Sequence, residues 1–61
     1  MAQTLKEEVR ESIREAARVV FARKGSRAAT VADIAAEGRL SAGNVYRYFA
    51  SKDALFYDVV D

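Results

Sequence analysis

The chemistry of this chain is concentrated between Ser41 and Tyr48. Ser41 is a helix N-cap residue type, and behind it Val45 and Phe49 stand four residues apart, an apolar pair that turns inward on a helix. The residues left facing outward are Ala42, Gly43, Asn44, Tyr46, Arg47 and, at the helix end, Tyr48. A merely solvated helix face more often carries Glu, Lys and Gln, and a glycine costs about 1 kcal/mol of helix propensity relative to alanine. Small side chains at Ser41, Ala42 and Gly43 let the first turn of such a helix sit deep in a groove. Asn44 offers an amide suited to adenine edges or a phosphate, and the guanidinium of Arg47 can fork onto guanine or reach a phosphate. Tyr46 and Tyr48 carry hydroxyls able to hold a nucleic-acid backbone; the alternative is a half-buried aromatic residue with a wet tip.

A helix of this kind needs a scaffold, and the apolar periodicity supplies one. Val9, Ile13, Ala16, Ala17, Val20 and Phe21 form one helical stripe, which predicts helix 1 over about residues 5–24. Thr4 and Glu7 have the spacing of a capping box, Glu7/Arg10, Glu11/Arg14 and Glu15/Arg18 are opposite-charge pairs for its wet face, and Arg23 and Lys24 complement its dipole before Gly25 stops it. Helix 2 is expected over about 31–37 with Thr30 as N-cap and Asp33 three residues on, the recognition helix over about 42–48, and the start of helix 4 over about 52–61 with Leu55, Phe56, Val59 and Val60 as its apolar positions. The two short helices cannot bury their faces alone, so helix 1 is expected to cover both while the fourth protrudes. The fold class is therefore all-α; periodicity alone fits an ordinary small helical bundle as well, and the outer face of helix 3 points to the other reading, a three-helix DNA-binding domain with a helix-turn-helix of helices 2 and 3 plus the start of a fourth helix. Thr30, at the head of helix 2, and Lys52, in the first turn of helix 4, are natural phosphate clamps.

Charge distribution agrees with this placement better than net charge does. The 61 residues carry a net charge of only +1. Residues 1–22 balance Lys6, Arg10, Arg14 and Arg18 against Glu7, Glu8, Glu11 and Glu15, whereas residues 23–52 set Arg23, Lys24, Arg27, Arg39, Arg47 and Lys52 against Asp33 and Glu37. The middle is the basic part. With 51% hydrophobic and 31% charged residues the chain is a globular domain rather than a disordered tail, and at this length it is marginal as a free-standing unit. It contains neither Cys nor His, which removes disulfides, thiolate chemistry and the usual zinc ligands, and no cofactor or metal is expected. Asp33 and Glu37 are four residues apart and could hold a metal, but without further ligands they read as a solvated face. An enzyme is disfavoured, because there is no Gly-rich phosphate loop after a strand and no carboxylate pair facing a pocket. The remaining rival is a helical protein-interaction module anchored by Tyr46, Tyr48 and Phe56. No apolar run approaches the roughly 20 residues of a membrane span, and the charged first twenty residues do not form a signal peptide, so a cytoplasmic location without a membrane partner is expected.

The run Thr30-Val31-Ala32-Asp33-Ile34-Ala35-Ala36-Glu37, followed by Ser41-x-Gly43-x-Val45-Tyr46-x-Tyr48-Phe49-x-Ser51-Lys52-x-x-Leu55, resembles the N-terminal DNA-binding domain of the tetracycline-repressor (TetR) family. Ala16-Ala17, Phe21 and Gly25 extend the resemblance over helix 1, so that residues 1–61 read as that domain, with the C-terminal ligand-binding and dimerisation domain absent. The resemblance implies a sequence-specific binder of double-stranded DNA, the operator-binding head of a ligand-responsive regulator and most simply a repressor. In the intact protein it implies a homodimer on a palindromic operator and a small-molecule inducer that swings helix 4. By the same resemblance Ser41 also matches a DNA-contact position, Ala42, Gly43, Asn44 and Arg47 match positions where bases are read, and Thr30, Tyr46, Tyr48 and Lys52 match positions where phosphates are held. A base contact that some members make from helix 2 falls on Ala32 and is lost. The turn also departs from the family's Ala-Gly-Val, reading Gly38-Arg39-Leu40. Either Arg39 adopts a positive φ at a cost of about 1 kcal/mol or more, or helix 2 ends one residue sooner. Arg39 could add a phosphate contact or be a plain surface arginine.

Overall fold

A computed structural model describes residues 4–60, with side chains from Lys6 onward, as four helices: α1 (Thr4–Ala28), α2 (Val31–Gly38), α3 (Ala42–Tyr48) and α4 (Lys52–Val60). No strand occurs among the described residues. The Thr4 side chain, and with it the expected capping box, lies outside them, as does Asp61.

α1 buries the predicted stripe. Ile13, Ala16, Ala17 and Val20 are buried, with Val9 and Phe21 packed at its margins. Helical geometry breaks at Gly25 (φ 86°, ψ 156°), a backbone region essentially reserved for glycine, and one more turn follows to Ala28. The expected end of the helix is thus a kink. Beyond it the Ala29 N–H donates to the Gly25 carbonyl at 3.1 Å, and Ala29 is fully buried.

α2 starts on a complete capping box: Thr30 Oγ1 accepts from the Asp33 N–H at 3.0 Å, and Asp33 Oδ2 accepts from the Thr30 N–H at 3.1 Å. At its other end Arg39 takes the left-handed conformation (φ 61°, ψ 42°). The Leu40 N–H reaches the Ala35 carbonyl at 2.8 Å and the Arg39 N–H the Ala36 carbonyl at 3.2 Å, the paired bonds of a Schellman turn. Helix 2 does not end early, then; a non-glycine residue bears the strained position. Gly38 has a different task. A Cβ there would lie 3.3 Å from Ala16 Cβ and 3.4 Å from Leu40 Cδ1, so the glycine lets α2 press closely on α1.

α1 packs on α2 and α4, and α3 leans mainly on α2. α1 therefore covers one of the two short helices extensively, while Val45 and Phe49 insert α3 into the shared core. α4 lies against α1 instead of protruding, because Leu55 is fully buried and Asp58 accepts from Arg14 Nε at 2.7 Å and from Arg10 at 3.0 Å. Arg10 thus reaches across to α4 where the local pairing with Glu7 was expected, whereas Glu11/Arg14 and Glu15/Arg18 form as anticipated, each at 2.9 Å. Held by Glu11 first and Asp58 second, the Arg14 guanidinium titrates above its ordinary range. Phe56 meets the Phe21 ring edge-on at 5.2 Å, and Val60, expected as apolar packing, is half-exposed.

Candidate nucleic-acid interface

α3 is two turns long and is held at both ends. Ser41 Oγ accepts from the Asn44 N–H at 3.1 Å, and the Phe49 N–H closes the last turn on the Val45 carbonyl at 3.0 Å before the chain becomes extended. Burial of Val45 and Phe49 turns the opposite face to solvent. Ser41, Gly43, Tyr46 and Arg47 are exposed there, with Tyr46 at 53%, and Ala42, Asn44 and Tyr48 are half-buried. The amide of Asn44, the guanidinium of Arg47 and both tyrosine hydroxyls have no partner among the described residues.

Gly43 is telling because nothing in the fold requires it. A Cβ at this position would meet only Ser41 Oγ, at an ordinary 3.9 Å, and the backbone is helical. The lost helix propensity has no internal compensation among the described residues.

The cations of the basic middle divide sharply. Lys24 Nζ donates to Asp33 at 2.9 Å and Arg23 to Glu37 at 3.4 Å, so these two brace α1 against α2 rather than cap the dipole of α1. Lys24 first, then the two Thr30 hydrogen bonds, hold the Asp33 carboxyl below its usual range. Asp33 and Glu37, read from the sequence as a solvated face, each pair with a cation of α1 instead. Arg27, Arg39 and Arg47 have no acidic partner among the described residues.

Lys52 sits in the first turn of α4, as expected, but its ammonium faces inward. It donates to the carbonyls of Ser26 at 2.8 Å, Ala29 at 2.9 Å and, longer, Arg27 at 3.4 Å. The end of α1 at Ala28 leaves these carbonyls without helical partners, and the three ammonium protons meet them. Thr30 Oγ1 accepts within its capping box and lies against the Asp33 carboxyl. Sequence reasoning missed a further cleft, in which Lys6, Glu7 and Arg10 of α1 join Arg47 and Tyr48 of α3. The two groups are more than thirty residues apart, and no local pattern links them.

The profile of the bacterial regulatory proteins of the tetR family matches residues 13–59, from the first fully buried residue of α1 almost to the end of α4. The chain belongs to the TetR family. A mycobacterial relative, named as an HTH-type transcriptional repressor in Mycobacterium tuberculosis, is 41% identical over 58 residues, covering 95% of this chain and 31% of its own length. A protein of Mycobacterium bovis named as an HTH-type transcriptional regulator matches equally, and YfiR of Bacillus subtilis, named as an uncharacterized HTH-type transcriptional regulator, is 41% identical over 49 residues, 80% of this chain and 24% of its own. The chain spans about a third of the length of the mycobacterial proteins it matches. No solved structure gives a significant match. TetR-family proteins are regulators rather than enzymes. Among the described residues no helix is long and apolar enough to cross a membrane.

Proposed function

We propose that this chain is the operator-binding head of a ligand-responsive transcriptional regulator, acting as a repressor, which lays α3 in the major groove of double-stranded DNA. The observation that carries the reading is the outer face of α3, where unpaired Arg47 and Asn44 stand beside a glycine the fold does not need. Ala42, Gly43, Asn44 and Arg47 read base edges, with Ser41 at the groove floor. Thr30, Tyr46 and Tyr48 hold phosphates through hydroxyl donors. Lys52 adds positive potential to the same backbone, and it reaches a phosphate by releasing one of the carbonyls it now holds. The repressor named in Mycobacterium tuberculosis supports the sign of the regulation.

The intact protein is a homodimer through a C-terminal domain outside this chain, binds a palindromic operator with half-sites about one helical turn apart, responds to a small molecule in that domain and works in the cytoplasm. Selection of duplexes from a random pool with the full-length protein tests this. Enrichment of a palindrome, lost on Arg47→Ala, is the expected outcome. Recovery of no consensus, or one indifferent to Arg47, would refute it.

A further inference from the structure

The cleft between the first turns of α1 and the end of α3 brings Lys6, Glu7 and Arg10 beside Arg47 and Tyr48, the last two residues of α3. Arg10 is fixed in place: it donates to Asp58 at 3.0 Å and its guanidinium lies 5.2 Å from the centre of the Phe49 ring. That pairing neutralises it. Lys6 and Arg47 then stand against Glu7 alone, a positive excess of one charge. Lys6 is exposed and has no hydrogen-bond or ion-pair partner among the described residues. An ammonium on a flexible stem, sharing one open cleft with a tyrosine, suits a singly charged phosphodiester, which a point charge and one further donor can hold.

Resting on the DNA-binding reading above, we infer that this cleft takes one backbone phosphate of the duplex next to the bases read by α3. Lys6 supplies the charge and Tyr48 the second donor. Glu7 weakens the site. α1 is then part of the DNA-binding surface as well as the scaffold behind it.

The test compares full-length parent protein, Lys6→Gln, Glu7→Gln, Glu8→Gln and Arg47→Ala on a selected duplex as salt is varied. Glu8 is exposed and does not line the cleft, so its variant reports the general effect of removing a negative charge. Each phosphate contact contributes a slope of about 0.9 in log affinity against log salt, so Lys6→Gln should flatten the slope of the two-headed protein by about 1.8 and lose about 12-fold more affinity at about 50 mM than at 200 mM salt. Glu7→Gln should tighten binding several-fold more than Glu8→Gln. Ethylation of one phosphate per half-site should weaken Lys6→Gln less than the parent. If Arg47→Ala weakens binding while Lys6→Gln keeps the parent's slope, or if Glu7→Gln and Glu8→Gln behave alike, the cleft is not a phosphate site and the DNA-binding reading survives. If the parent itself binds no duplex, both fall together.

Discussion

Replacing Gly43 by alanine should move stability and DNA binding in opposite directions. The position lies in the first turn of α3, its backbone is helical, and an added methyl meets only Ser41 Oγ at 3.9 Å. Nothing must shift to admit it. Alanine also restricts the unfolded chain, so Gly43→Ala should stabilise the fold by about 0.4–1 kcal/mol. For a domain this small that is a rise of about 2–8 °C in Tm, readable by circular dichroism. On DNA the same methyl occupies the space between the α3 backbone and the groove floor. Loss of close approach there is worth about 1–3 kcal/mol, the scale of one base contact, so affinity should fall about 5- to 150-fold at fixed salt. Fluorescence anisotropy with a labelled operator measures it. A variant that binds as tightly as the parent would show that the glycine does not face the duplex. A variant less stable than the parent would show that the backbone at this position is not the relaxed helix described.

Two further perturbations bear on the scaffold. Arg39→Gly should stabilise the fold by about 0.5–1 kcal/mol, since relief of a left-handed arginine outweighs the greater freedom of the unfolded glycine; a lowered urea midpoint would contradict it. Asp33 titrates below the ordinary carboxylate range when folded, so the stability it contributes is complete above that range and is lost as pH falls through the folded value. The difference in urea midpoint between the parent and Asp33→Asn should therefore be constant near neutrality and shrink in acid, and a difference independent of pH would refute the assignment.

What the sequence conveys depends on how far apart the partners lie. The three caps, Thr30 with Asp33, Ser41 with Asn44 and Ser51 with Ala54, involve residues three apart, and helix spacing alone identifies them. The Val45/Phe49 pair and the α1 stripe are equally local, and with them the outward face of α3. The partners of the cations are not local. Arg10 and Asp58 are 48 positions apart and Lys52 and Ser26 are 26, so a charge count sees ten cations without seeing which are already engaged. The Gly38-Arg39 turn was undecidable for the same reason. Its answer lies in Ala16 of α1, whose closeness needs the glycine inside the helix and leaves the arginine to make the turn.

α4 is fastened near both its ends. Lys52 grips the carbonyls after the Gly25 kink, and Asp58, six residues or about 9 Å further along the axis, grips Arg10 and Arg14 on the body of α1. A rod pinned at two separated points cannot pivot about either. Between the two anchors, and through Arg10 over the Phe49 ring, α4 is tied to both α1 and the foot of α3.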